Sequence, residues 1–433
     1  MQLTPLALVM QFAHVLQQEL FPELEVAVGP MDKKLELLAA VISMTPLEPT
    51  LSAHRSFTGR PAKDRTALAT AFLAKAVFNL STTRDLIARL RVDAALRRFC
   101  GWYSVDRLPH ESKFSRAFAE FAVTELPQRL HAAVIAATQS QRLIGHITRD
   151  STAIAAREHV PQAVLDEKKA NEEKAGKRKR ARQKKQAKAK SQLKTNAQAK
   201  GQPNPKSQRQ TKAKPKRKHP KGSFARAQAT ERGTRIQRQR LESLDQMLTG
   251  LSRQCDIGAK VNSQGNIDYW RGYKLHLDTA DGQIPISAVL TSASVHDSQV
   301  AIPLMTMSSK RVVHLYELID SAYDADEIHA HSRQLNHVPV IAPHPRRGTK
   351  KSSQVPKAYP DTPAPQLCPA KRERFKIRTM SERVNARLKD EFGASQIRVR
   401  GAAKVMAHLM FGVLALTVDQ WLRMATPLAS LGE

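Results

Sequence analysis

Apolar residues recur at helical spacing through Pro61–Leu80 (PAKDRTALATAFLAKAVFNL), which predicts a helix with proline in its first turn. Ser81 stands where it can cap a second helix over Thr83–Arg91. A third is predicted over Pro109–Phe121, after the linker Gly101-Trp102-Tyr103. Short helices of this kind fit a helix-turn-helix reader and a plain helical bundle equally well. Further along, the period changes. Leu143–Thr152 reads as a strand, and Tyr273–Thr279 with Ile284–Thr291 reads as a hairpin turning at Asp281-Gly282. A helix over His296–Met307, a strand ending at Asp320, a helix over Ala325–Leu335 and a strand over Val338–Ala342 follow. Helices over Ser381–Phe392 and Ala402–Met424 close the pattern, giving an α/β class: a mixed sheet with covering helices after an all-helical region.

Charge adds a partner to this picture. The 433 residues carry a formal charge of +31, and Lys168–Lys221 holds 22 Lys and Arg against two acids. That stretch is nearly devoid of aromatic and β-branched residues, so disorder or transient helix is expected there, with a general affinity for polyanions. Nucleic acid is the expected partner and a membrane is not. Val405–Val418, the longest apolar stretch, contains His408, is short for a bilayer span, and reads as a buried helix. No basic-then-apolar leader is read at the start. Cys100, Cys255 and Cys368 form no motif and suit a reducing cytoplasm, and the 15 histidines show no metal-ligand spacing. The expected organisation is a helical domain over 1–140, the first core strand within 141–158, a basic insertion over 159–250 ending in a helix, and the rest of the core over 251–425.

Phosphodiester chemistry needs hard oxygen ligands delivered from separate elements around divalent cations about 3.5–4 Å apart. Asp150 ends one apolar-alternating run (LIGHITRDST) and Asp320 another (HLYELIDSAYD). Glu382 opens a helix among Arg378, Arg387 and Lys389. Any one of these acids alone is weak evidence, since most Asp residues after strands are turn formers. Asp297 reads as an N-cap, Asp324 and Asp326 as caps of the following helix, Tyr323 as a packing residue, and His276 and His314 as hydrogen-bonded strand histidines. Trp270 and Arg271, before a core strand, make a thin case for base stacking.

As a set these residues resemble the DDE transposases of bacterial insertion sequences, in the group with a Tyr-Arg-Glu-Lys signature and an RNase H-like core. Phe375, Arg378, Glu382 and Lys389 reproduce the signature's gaps of two, three and six residues, with Phe at the tyrosine position. RDST around Asp150 and IDSAYD around Asp320 are similar to the family's two aspartate motifs, and the GRPAKDRTALATAFLAKAVFNLS region resembles its helical domain. The resemblance implies that Asp150, Asp320 and Glu382 bind two Mg²⁺ ions, replaceable by Mn²⁺, and cleave and join DNA. It also implies that Arg378, Lys389 and Phe375, with Arg387 nearby, contact DNA. The implied partners are terminal inverted repeats and target DNA, held by a homodimer on paired ends near the bacterial nucleoid. A DNA-binding protein without catalysis and an RNase H-like nuclease that does not join strands are the alternative readings.

Overall fold

A computed structural model describes residues 20–52, 64–167, 169–171, 173, 233–261, 264–343 and 367–429. Most of Lys168–Lys221, with its expected disorder, lies outside them, as do Pro61–Lys63. The chain divides into a unit of residues 1–159 and 234–433 and a second unit, Val160–Gly233.

The helical region comprises α1 (Phe21–Val28), α2 (Lys33–Met44), α3 (Leu47–Ser52), α4 (Arg65–Val77), α5 (Thr83–Val92), α6 (Ala94–Phe99), α7 (Glu111–Val123) and α8 (Leu126–Gln139). The starts are set by caps. Asp64 accepts from Thr66 N and Ala67 N, so α4 begins later than the apolar pattern suggested. Thr82, not Ser81, caps α5 through a reciprocal capping box with Asp85; the Ser81 hydroxyl bonds Gln396 instead. Trp102, read as linker, is buried against Phe114.

The sheet contains β1 (Leu143–Ala155), β2 (Asp256–Val261), β3 (Ile267–Ala280), β4 (Ile284–Ser292), β5 (Val313–Ile319) and β6 (Val338–Ile341). Its helices are α9 (Arg235–Gln239), α10 (Leu244–Thr249), α11 (Ser298–Ser309), α12 (Asp326–Gln334), α13 (Pro369–Lys376), α14 (Thr379–Asp390) and α15 (Ala402–Ala429). The strand path is β2-β3-β1-β5-β6, with β4 also on β3. β1 is antiparallel to β3 and parallel to β5, and β3 with β4 forms the hairpin expected around Asp281-Gly282. β2 was not foreseen. It pairs antiparallel with the first half of β3, which starts earlier than the sequence pattern implied. Gly272 makes the β1–β3 crossing possible: at φ +148°, a Cβ there would lie 2.2 Å from the Ile154 carbonyl oxygen.

One hydrophobic core joins the helices to the sheet. Phe72 of α4 packs at a tilt against Phe118 of α7 at 4.9 Å and stacks with Phe411 of α15 at 6.0 Å. α15 packs on α2, α4, α7, α8 and β4. At 28 residues it is long enough to cross a bilayer, contrary to the shorter stretch read from sequence. Its apolar segment is 67% buried inside the protein, which accounts for its composition as that of a core helix.

Candidate active site

β1 brings chemistry to the middle of the sheet. Arg149 and Asp150 are successive residues, so their side chains leave opposite faces. The Arg149 guanidinium lies fully buried, 2.7 Å from Asp278 on β3 and 3.8 Å from Glu317 on β5. Burial opposes its charge, but Asp278 and Glu317 outweigh that and hold the guanidinium protonated. Glu317 is approached by His314 at 3.5 Å and His337 at 3.6 Å. These three residues bring ligand-capable atoms within 4.8 Å of one another, an arrangement hidden in sequence by the long gap before His337. Arg149 already supplies the countercharge, and the group reads as a buried ionic network clamping β1 between its neighbours.

On the other face, Asp150 is half-buried and its Oδ2 accepts from Asn385 Nδ2 at 3.1 Å. Burial raises the Asp150 carboxyl above its ordinary range and Asp297 adds to this; the Ser151 N–H, Lys260 and Arg378 pull the other way. Arg149 pairs in register with Ile319, the last pair between β1 and β5, so Asp150 and Asp320 are the next residue on each of two adjacent strands. Neighbouring strands run about 4.8 Å apart, so the two aspartates end adjacent strands side by side; among the described residues the ligand-capable cluster is His314, Glu317 and His337, and Asp150, Asp320 and Glu382 do not form one. The Asp320 carboxylate accepts from Ser321 N at 2.6 Å and starts a single turn over Ser321–Tyr323.

α14 supplies the third element. Arg378, at its N-cap, and Glu382, Asn385 and Lys389 recur at intervals of four, three and four, so they form one stripe on the helix. Met380, Val384 and Leu388 form the buried stripe. Glu382 lies one turn from Asn385, but its carboxylate is 52% exposed and bonded at 2.8 Å to Arg378, whose charge also bears on Asp150. Lys389 is lowered from its ordinary range by burial and then by the like charge of Lys260 on β2. The Arg378 guanidinium sits 5.6 Å over the Phe375 ring, a contact that needs no hydroxyl.

Arg387 departs from expectation. It points to α15, bonding Asp419 at 2.7 Å together with Glu391 and Gln420, so three partners hold its guanidinium. Asp297 is a second correction: no N-cap bond is made, and Lys274 Nζ sits 2.9 Å from its Oδ1. Asp324 takes His329 Nε2 at 3.1 Å, while Ala325 occupies the cap of α12. Tyr323 is packed as expected in a cluster with Ile319, Met305 and Ile328, yet its buried hydroxyl has no partner among the described residues. His276 bonds Thr291 at 2.9 Å. Trp270 lies inside β3, donates to Tyr273 O at 3.0 Å, and its ring fills the space where a Cβ on Gly258 would stand.

Two family models match the chain. One, described as Transposase domain (DUF772), covers residues 23–120, and the other, Transposase DDE domain, covers residues 249–418. The chain belongs to the DDE transposases of the insertion-sequence type. Neither a curated protein nor a solved structure matches it. The DDE match spans Asp320, Glu382 and the α14 stripe of this transposase. β1 lies outside both matches, so Asp150 is tied to the site by geometry alone: the β5 register and the bond from Asn385. Asn385 escaped the sequence reading, although its place three residues after Glu382 puts it on the signature's own face.

Proposed function

We propose that this transposase cleaves DNA at the ends of its element and joins the 3′ ends to target DNA, using an RNase H-like core with Asp150, Asp320 and Glu382 as its acidic residues. The observation that carries this reading is the reach of α14 to the paired strand ends: Asn385 bonds Asp150, Arg378 bears on the same carboxylate, and Glu382 shares their helix stripe. The hairpin-containing mixed sheet with covering helices supports the RNase H-like assignment.

The residues fit divalent magnesium. Carboxylate oxygens are hard donors, and Asn385 Oδ1, beside Asp150, is a buried oxygen without a partner among the described residues. Two bound Mg²⁺ ions, or Mn²⁺ in their place, would activate the attacking oxygen and stabilise the leaving one. Asp150 and Asp320 would hold them, joined by Glu382 once Arg378 releases it. Arg378 acts as the countercharge to Glu382 until a phosphate arrives to take the guanidinium. Lys389 and Lys260, two ammonium groups close enough to repel, offer a second place for phosphodiester charge. The helical region would bind the terminal repeats, a homodimer would hold two paired ends, and the work would take place on cytoplasmic DNA.

Incubating the protein with paired end DNA, target DNA and Mg²⁺ tests this. Joined 3′ ends are expected. Nicks without joining would favour a nuclease, and binding without either would leave a DNA-binding protein. Asp150→Asn, Asp320→Asn and Glu382→Gln are each expected to abolish cleavage while DNA binding persists; cleavage surviving in one of them removes that residue from the set.

A further inference from the structure

Asp297 is tied to the strand that bears Asp150. Its partner Lys274 also donates to Val295 O at 2.9 Å, closing the segment just before α11 onto β3. In the β1–β3 register Lys274 opposes Ala153 and His276 opposes Ser151. The ion pair therefore stands level with the end of β1, on the face opposite Asp150. Ser151 approaches the same carboxylate, and the Asp297 charge is felt by both Asp150 and Tyr323. The pair is largely withdrawn from solvent, at 15% and 24% side-chain exposure.

Stability alone gives little reason for this arrangement. A carboxylate heading a helix would be most useful on the helix N–H groups, and Asp297 makes no such bond. Desolvating an ion pair offsets most of its attraction, and the Asp297 charge, acting through the sheet, makes ionisation of Asp150 harder.

We propose that Asp297 is a positioning residue for the carboxylate of Asp150: with Lys274 it fixes β1 at Ser151, so that the next side chain back is aimed at the cation. Lys274 cancels its charge, so Asp297 is not itself a ligand. The inference rests on the reading of Asp150 as a metal-binding residue.

Opposite charge changes separate this role from mere scaffolding. Asp297→Asn leaves Lys274 uncompensated near Asp150 and is expected to weaken binding of Mn²⁺ alone, followed by electron paramagnetic resonance on the full chain. Lys274→Met leaves the carboxylate uncompensated and is expected to tighten it. Each change should be about fivefold or more, given unlike charges in a partly buried site. Both variants should cut DNA at least about tenfold more slowly, because both loosen β1. The double variant restores neutrality and guards against loss of folding in either single one: Mn²⁺ affinity near wild type with cleavage still slow is the expected result. Wild-type cleavage in the double variant, or Mn²⁺ affinities that do not move in opposite directions, overturns the proposal. Asp150→Asn distinguishes the underlying reading: if it leaves Mn²⁺ binding intact, the metal site itself is misplaced, whereas lost binding there with unmoved Asp297 and Lys274 variants sinks only the positioning role.

Discussion

The amide of Asn385 donates to the carboxylate of Asp150 at 3.1 Å, linking α14 to the central strand across 235 positions of sequence. A charge-assisted bond of this kind favours the ionised acid by about 1.5–3 kcal/mol. Burial has already pushed the Asp150 carboxyl upward. Asn385→Ala should push it further and move the acid limb of the cleavage pH–rate profile up by about one pH unit. Single-turnover cleavage across that limb would show it, and an unmoved limb would mean that the amide does not set the ionisation of Asp150.

Arg378 and Glu382 form an ion pair whose acid is half exposed, so it should hold little stability. Arg378→Gln is expected to change the melting temperature by no more than about 2 °C. Cleavage should nevertheless fall by about a hundredfold, since the guanidinium is read as a phosphate contact. Parallel melting and cleavage measurements separate the two effects; a large melting shift with normal cleavage would reverse the roles.

Arg387 should behave in the opposite manner. Its side chain is 16% exposed and holds Asp419 of α15. Arg387→Gln is expected to cost about 1–2 kcal/mol in denaturant unfolding and to leave the salt dependence of DNA binding unaltered. A flatter salt slope would restore Arg387 to the DNA surface.

Three histidines, His131 and His276 buried and His408 half-buried, make the fold acid-sensitive. Burial holds His131 down to about 3, His276 to about 4 and His408 to about 3. Each therefore takes a proton more readily when unfolded, near pH 6.5. Their stabilisation is complete above that value and is lost as pH falls toward the folded values, by up to about 1.4 kcal/mol per pH unit for each group. Urea unfolding at pH 7, 6 and 5 should show a steep decline. His131→Gln, which can retain a donor for the Pro285 carbonyl now 3.0 Å from His131 Nε2, should lessen the slope.

Gly272 cannot be replaced cheaply. Any side chain there meets the backbone of β1, which has no rotamer with which to retreat. Gly272→Ala is expected to lose about 3 kcal/mol or more, measured by denaturant unfolding.

The long elements were legible because they are long runs rich in apolar residues: α4 is buried at every residue from Ala67 to Val77, and β4 at every residue from Ile284 to Ser292. β2 was not legible: DIGAKV alternates weakly, and it becomes a strand only because the first half of β3 lies beside it. At the site, spacing alone placed Arg378, Glu382 and Lys389 on one helix face. It could not say that Arg387 turns to α15, because that depends on where a helix fifteen residues further on comes to rest. Asp297 was misread for a related reason. Local sequence recommends it as a cap, whereas its real partner, Lys274, arrives from a neighbouring strand.

The position of α15 has a consequence for biogenesis. Phe72 and its stacking partner Phe411 lie far apart along the chain, so the interior they share stays open until the second of them has been made. A prematurely terminated product would display unpaired apolar surface and invite aggregation or proteolysis.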